Sequence, residues 1–274
     1  MSRVNIPVAL TIAGSDPSGG AGIQADLKTF HQHQVYGAAA ISLLTVQNTL
    51  RVSRVDVMSA ELLLAQVDAV LEDLPVAAAK SGALGSEANV LAIAERFARS
   101  GAPRLIVDPV MISKHGAPLA DEAARRAVRD VLLPVSFLIT PNVHEAAELL
   151  GRSVDRLGDA REAALELVAM GARAALVKGG HLEGAHAVDV LAIGGETMDL
   201  VAPRIDTRHT HGTGCTYSAA ITALLARGHS LIDAAGDAKR WLTLAIETAP
   251  GLGGGQGPVN HFAPSVGPRS GKPK

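Results

Sequence analysis

The sequence predicts an α/β fold with a mostly parallel central sheet. Near-continuous apolar runs at residues 8–14, 38–46 and 105–107 are typical of strands that are buried on both faces. Several of these runs lead through glycine-rich or polar turns into segments with apolar residues at helical spacing. The chain of 274 residues contains no evident linker, so we predict a single domain with frayed tails at about 1–5 and 263–274.

The composition of the chain disfavours several classes of binding partner. A net charge of −2 and an aromatic content of 3% disfavour binding to nucleic acid or to an anionic membrane surface, so we expect a small substrate. There is no 18-residue apolar run, no signal-peptide pattern, and only one cysteine, Cys215. These features predict a soluble protein of the reducing cytoplasm.

The first strand, 8–14, leads through the glycine-rich loop 14–22 into a predicted helix. Part of this loop matches the loose dinucleotide-binding pattern G-x-G-x-x-A, but no acidic residue ends a second strand about twenty positions later, so we do not favour a dinucleotide site. The second strand, 38–46, ends at Gln47. Its carboxamide can read the polar edge of a heterocycle, or it can satisfy loop backbone groups instead.

The next predicted elements are an extended segment at 52–57, a helix capped by Ser59, a strand at 76–79 and a helix capped by Ser86. The strand at 105–107 ends in Asp108. A carboxylate there is costly to bury unpaired, so we expect a cation such as Mg²⁺ to meet it, with capping or loop contacts as the alternative.

A helix is predicted at about 121–132 and a strand at 135–139, after which Asn142 marks the start of another helix. Glu145 lies in its first turn, where it can stabilise the helix dipole or hold hydrated Mg²⁺, and the sequence slightly favours the dipole role. After a helix at 161–170 and a strand at 174–177, Lys178 precedes two glycines, which suits contact with a phosphate. The remaining predicted elements are a hairpin of 188–193 with 198–205, helices at about 217–227 and 231–248, and a flexible loop at 251–257.

The turn at 210–216 is the strongest functional signal. Its small residues Gly212, Thr213 and Gly214 leave backbone N–H groups bare at the start of a helix, where the dipole favours anions. The same field should lower the pKa of Cys215 below that of a free cysteine and suit it to accept a proton. Alternatives are a tight loop around a small buried thiol, or metal binding by Cys215 with nearby histidines, for which a fourth ligand is missing.

Together these segments resemble the hydroxymethylpyrimidine and phosphomethylpyrimidine kinases of thiamine biosynthesis, within the ribokinase-like superfamily. The resemblance covers about residues 6–262 and implies a three-layer α/β/α sandwich, often dimeric, that uses ATP and Mg²⁺; whether a monovalent cation takes part is left open. The motifs that carry it are AGSDPSGGAGIQADLKTF (13–30), QNT (47–49), DPVM (108–111), TPNVHE (140–145), KGGH (178–181) and THGTGCT (210–216).

The resemblance also implies a role for each position of these motifs. Cys215 would take the proton of the hydroxymethyl group, and the backbone amides of 212–215 would hold the developing charge. The substrate would contact Gln47, Gly14, Asp26, Ala83 and Val110, the ATP phosphates would face Asn142 and Lys178, and Asp108 and Glu145 would serve Mg²⁺.

One position departs from the family pattern. Where the family commonly shows Lys-x-Gly-Met, this chain has Lys80, Gly82 and Ala83, which removes a bulky wall from the expected pyrimidine pocket. A roomier pocket could admit a pyridoxine-like ring, so a pyridoxal or pyridoxine kinase is the alternative function. A pyrimidine-binding regulator without activity is the alternative from another class.

Overall fold

The computed structural model describes residues 6–112, 116 and 119–265. Within these ranges, nine strands form one sheet in the order β3-β2-β1-β4-β5-β6-β7-β8-β9. The six strands from β2 to β7 in that order run parallel, whereas β3 at one edge and β8 and β9 at the other pair antiparallel. The strands are β1 (Val8–Ser15), β2 (Tyr36–Gln47), β3 (Val52–Val57), β4 (Val76–Ser81), β5 (Arg104–Val107), β6 (Leu138–Ile139), β7 (Ala174–Val177), β8 (His186–Ile193) and β9 (Glu196–Pro203).

Helices cover both faces of the sheet, and the alternation of side chains along each strand divides the core between them. In β5, Ile106 belongs to the hydrophobic cluster under α7 and α8, whereas Leu105 and Val107 belong to the cluster under α2 to α6. The predicted three-layer sandwich is therefore confirmed. The helices are α1 (Gly22–Gln32), α2 (Ala60–Asp73), α3 (Glu87–Ala98), α4 (Glu122–Ala127), α5 (Val143–Leu150), α6 (Leu157–Ala169), α7 (Thr213–Ala226) and α8 (Leu231–Glu247).

Two predicted elements differ from the structure. The predicted helix at 121–132 is α-helical only to Ala127 and continues as a π-helical turn, Val128–Leu132. The predicted strand at 135–139 is reduced to Leu138–Ile139, because Pro134 supports a 3-10 turn at Leu133–Val135 and its fixed φ suits the first positions of a helical turn.

The C-terminal tail begins later than predicted. Ala263 is buried, and its carbonyl accepts hydrogen bonds from Trp241 Nε1 at 2.9 Å and Gln32 Nε2 at 2.8 Å. The expectation of a frayed chain from residue 263 is wrong there, because these bonds anchor the segment to α8 and α1. The expected tails at 1–5 and 266–274 lie outside the described residues. No helix in the described part of the chain is long and apolar enough to cross a membrane.

Candidate active site

The carboxyl ends of the parallel strands open into one cavity of about 680 Å³, a volume within the usual range for small-molecule sites. This is where ligands of open α/β sheets bind. All but one of the site residues predicted from the sequence line it: Gly14, Gln47, Ala83, Asp108, Val110, Asn142, Glu145, Lys178 and the turn 212–215.

The turn at the start of α7 requires glycine at position 212. Gly212 has a φ of +74°, and a Cβ there would lie 1.8 Å from the carbonyl oxygen of Gly20. A Cβ on Gly214 would lie 3.3 Å from Lys178 Nζ and 3.7 Å from an Asp108 carboxylate oxygen. Of the first N–H groups of α7, that of Thr213 donates to the Thr210 carbonyl at 3.3 Å. The turn lies beside one lysine and one aspartate, an arrangement that suits an anion site.

Lys178 joins two carboxylates at the floor of the cavity. Its Nζ lies 2.9 Å from Asp108 Oδ1 and 3.9 Å from Glu145 Oε2. Burial alone would raise the pKa of Asp108, but Lys178 and then Lys80 outweigh it and hold that pKa below its usual value. Burial raises the pKa of Glu145 to about 7 against the opposing effect of Lys178. Two carboxylates that share one ammonium group are a donor set suited to a hydrated Mg²⁺ that also binds phosphates.

Glu145 and Asn142 also form the N-cap of α5. The Asn142 side chain accepts from the backbone N–H groups of His144 and Glu145, both at 2.9 Å, while Glu145 Oε2 accepts from the Asn142 N–H at 2.7 Å. This reciprocal capping box agrees with the helix-stabilising role that the sequence slightly favoured for Glu145.

The predicted low pKa of Cys215 is wrong. Burial raises the pKa of the Cys215 thiol to about 11; Lys80 and a hydrogen bond from the Gly22 N–H lower it, and Asp26 and Asp108 raise it. The start of α7 favours a thiolate, but that field does not offset the lost hydration together with two neighbouring carboxylates. Cys215 thus carries its proton at neutral pH in the free protein.

Asp26, which the resemblance places near the substrate, does not line the cavity. It is fully buried, and its Oδ2 accepts from Lys80 Nζ at 2.8 Å and from Thr11 Oγ1 at 2.6 Å. Lys80 is equally buried, and its positive charge lowers the pKa of Cys215 and so favours the thiolate. Sequence reasoning missed this ion pair, whose only signal was a charged residue at the end of the otherwise apolar strand β4.

At the other side of the cavity Gln47 contacts a side chain and not the loop backbone. Its amide lies 3.1 Å from His211 Nε2, which lies 2.8 Å from Asp16 Oδ2. Ala83 lines the same cavity. Neither Asp16 nor His211 was predicted as part of the site, although both stand in motifs that the resemblance used.

A second buried ion pair, also missed, lies at the far end of the cavity. Asp189 of β8 accepts from Lys239 Nζ of α8 at 2.6 Å and from the Gly179 N–H at 2.9 Å. A Cβ on Gly179 would lie 1.9 Å from the carbonyl oxygen of Val188. Asp189 therefore holds the loop after Lys178 against the antiparallel edge of the sheet.

Comparison with known proteins gives consistent matches. A family model described as phosphomethylpyrimidine kinase matches residues 16–260. The chain is 46% identical over 261 residues to a hydroxymethylpyrimidine/phosphomethylpyrimidine kinase of Bacillus subtilis, covering 95% of this chain and 96% of that one. The corresponding kinase of Rhizobium meliloti is 48% identical over 260 residues, covering 93% and 97%.

Solved structures with the same fold include a pyridoxal kinase of Bacillus subtilis in complex with ADP. It has a TM-score of 0.88 and 37% identity, and the match covers 94% of this chain and 98% of that one. A phosphomethylpyrimidine kinase of Clostridium difficile has a TM-score of 0.78 and 39% identity, covering 88% and 100%. The predicted ribokinase-like fold is therefore confirmed.

Proposed function

This chain belongs to the phosphomethylpyrimidine kinase family, and we infer that it is an ATP-dependent kinase of thiamine biosynthesis. It phosphorylates 4-amino-5-hydroxymethyl-2-methylpyrimidine and then the resulting monophosphate. The observation that carries this proposal is the position of the glycine turn at 212–215 beside Lys178 and Asp108, in the same cavity as Gln47. An anion site, a lysine that can bind phosphate and an amide that can hydrogen-bond to a ring therefore line the same cavity.

In the first reaction, the hydroxymethyl oxygen attacks the γ-phosphorus of ATP, and the bond from that phosphorus to the β,γ-bridging oxygen breaks. The backbone N–H groups of 212–215 hold the charge on the transferring group, and Lys178, with the Asn142 side chain, binds phosphate oxygens. The alcohol proton passes to the thiolate form of Cys215, which becomes the thiol; the protonated form cannot take it. A thiolate with a pKa of about 11 is a strong base, although it is scarce at neutral pH.

Asp108 and Glu145 would hold Mg²⁺, directly or through water. The bound ion would neutralise charge on the β- and γ-phosphates. The two carboxylates fit this role because both converge on Lys178 at the floor of the cavity.

The direct test measures ADP release from Mg-ATP with the purified protein and each of the two pyrimidines. ADP release that depends on both pyrimidines is expected. Release that depends on neither would refute the kinase assignment, and calorimetry that then detects pyrimidine binding would support a regulator without activity.

Comparison of the two phosphorylation steps tests whether Cys215 accepts the proton, separately from the kinase assignment. The hydroxymethyl group must lose a proton, whereas a phosphate monoester already presents an anionic oxygen near neutral pH. Cys215→Ser should therefore lower kcat of the first step by about 10²- to 10⁴-fold, with a modest effect on KM, and lower kcat of the second step far less. Equal losses in both steps would contradict proton acceptance by Cys215.

A pyridoxal or pyridoxine kinase is the second candidate, because Ala83 lines the cavity where the family commonly has methionine. The kcat/KM values for pyridoxine and for the pyrimidine decide between the two. If the space beside Ala83 admits the larger ring, Ala83→Met should lower kcat/KM for pyridoxine and leave that for the pyrimidine nearly unchanged.

We also propose a homodimer. The antiparallel edge formed by β2 and β3 exposes the apolar side chains Leu44, Val46 and Val57, which pairing with a second copy would cover. Light scattering should give twice the mass of one chain.

Use of ATP and a reduced thiol at the site fit the cytoplasmic location expected from the sequence.

A further inference from the structure

We propose that Asp16 and His211 fix the orientation of the Gln47 amide, so that its NH₂ group points into the cavity and donates to a ring nitrogen of the substrate. Asp16 and His211 are positioning residues in this proposal, and Gln47 alone touches the substrate. The inference rests on the pyrimidine kinase function proposed above, and it names the atom by which the ring is read.

Asp16 is surrounded by donors. Its Oδ1 accepts from the N–H and the hydroxyl of Ser18, at 2.9 and 2.7 Å, and its Oδ2 accepts from the N–H groups of Gly20 and Ala21, at 3.2 and 2.9 Å. Burial would raise the pKa of this carboxyl, but the hydrogen bonds from His211 and Ser18 outweigh it and lower the pKa. Asp16 is therefore an ionised, acceptor-only group at neutral pH.

This carboxylate determines which nitrogen of His211 carries a proton. His211 Nε2 lies 2.8 Å from Asp16 Oδ2, and both side chains are almost fully buried. Because Asp16 can only accept, His211 Nε2 must carry a hydrogen and donate it. The imidazole ring lies close against the backbone of Gly20, where a Cβ would be 2.5 Å from His211 Cδ2.

Gln47 is the next group in this chain of hydrogen bonds. Its Nε2 lies 3.1 Å from His211 Nε2, which would set two donors against each other. Rotation of the amide by 180° leaves its shape unchanged and replaces this nitrogen by Oε1. The single hydrogen on His211 Nε2 is then shared between two acceptors, Asp16 Oδ2 at the shorter distance and Gln47 Oε1 at the longer one. The NH₂ group then faces the cavity that Gln47 lines.

A donor at this point of the cavity selects a substrate with an acceptor there. A pyrimidine nitrogen with its lone pair in the ring plane meets that need, whereas a C–H group at the same place leaves the donor unpaired. A site that loses a buried hydrogen bond discriminates far more strongly than a site that loses an apolar contact. Asp16 and His211 would thereby contribute to specificity without contact with the ring.

The kinetic experiment compares the pyrimidine substrate with an analogue in which the ring nitrogen next to the amino-bearing carbon is replaced by C–H. In the unaltered protein, kcat/KM for the analogue should be lower by about a hundredfold, mostly through KM. His211→Gln keeps an N–H donor near the position of Nε2 and should keep at least tenfold discrimination. His211→Phe removes the donor, and discrimination should fall below about fivefold.

Equal turnover of substrate and analogue by the unaltered protein would overturn the inference and leave the proposed function standing. A ¹⁵N NMR spectrum of histidine-labelled protein provides a test that needs no turnover. The resonances of His211 should show a protonated Nε2 from pH 6 to 8, with assignment by their absence from His211→Gln. An unprotonated Nε2 in that range would also overturn the inference, whatever the enzyme phosphorylates.

Discussion

At the scale of single residues, Cys215 is where two physical effects compete most clearly. The amino end of α7 and Lys80 favour its thiolate, whereas burial, Asp26 and Asp108 favour its thiol, and the second set prevails. Because little of Cys215 is thiolate at neutral pH, proton acceptance acts only through this minor form. We therefore expect positioning and the backbone N–H groups of 212–215 to supply most of the rate.

Alkylation measures the state of this thiol directly, because Cys215 is the only cysteine in the chain. At pH 8, its reaction with iodoacetamide should be about a hundredfold slower than that of a free thiol, because so little thiolate is present. The rate should then rise about tenfold per pH unit up to pH 10. Mass spectrometry of the intact protein gives the rate, and Cys215→Ser should not be labelled. A rate that levels off below pH 9 would contradict the raised pKa.

At the scale of elements, Asn142 connects helix capping to the site, because it begins α5 and also lines the cavity. Asn142→Ala should lower the free energy of unfolding by about 1 kcal/mol, as expected for loss of a cap, and should raise KM for ATP. Ser59→Ala is the matched control, because Ser59 caps α2 in the same way without lining the cavity. Urea denaturation and steady-state kinetics give both quantities. If the two variants have the same KM for ATP, Asn142 only caps the helix.

The ion pair between Asp26 of α1 and Lys80 of β4 is fully buried, so removal of one partner leaves the other unpaired. Lys80→Met should cost about 3–5 kcal/mol of stability, as measured by urea denaturation. The double variant Asp26→Asn with Lys80→Met leaves no isolated charge and keeps an acceptor for Thr11, so it should recover much of that loss. A double variant that is less stable than Lys80→Met would show that the charges themselves stabilise the fold.

At the scale of the whole molecule, buried ionisable groups in the cavity lower the stability of the folded protein. The pKa of Glu145 is about 7 in the folded protein and 4.5 in a free side chain, so between these values the unfolded chain binds fewer protons. The contribution of Glu145 to stability therefore falls as pH rises from 4.5 to 7. Such a loss of stability is typical of a functional site whose carboxylates bind a cation.

Glu145→Gln tests this cost. The variant should be more stable than the unaltered protein by about 2–3 kcal/mol at pH 8 and close to it at pH 4.5, because the amide does not ionise. Urea denaturation at both pH values measures the difference. Glu72→Gln, an exposed change on α2, serves as the control for the replacement of a carboxyl group by an amide. A stabilisation by Glu145→Gln that is equal at both pH values would refute a titrating Glu145.

The order of elements and the line of polar residues after the strands follow from the sequence, because apolar runs, caps and glycine turns are local properties of the chain. They were sufficient to predict the parallel sheet and to bring Gln47, Asp108 and Lys178 to one cavity. The short β6 had a local signal, Pro134, that the prediction did not use. The anchored Ala263 could not be predicted locally, because its hydrogen-bond partners are distant in the sequence.

Only the tertiary structure decided the ionisation states and the partners within the site. The buried position of Asp26 opposite Lys80, the pKa of Cys215 and the path from Asp16 through His211 to Gln47 join residues far apart in the chain. A motif specifies which groups can titrate. Burial and the charges that the fold brings within a few ångströms determine which of them hold a proton.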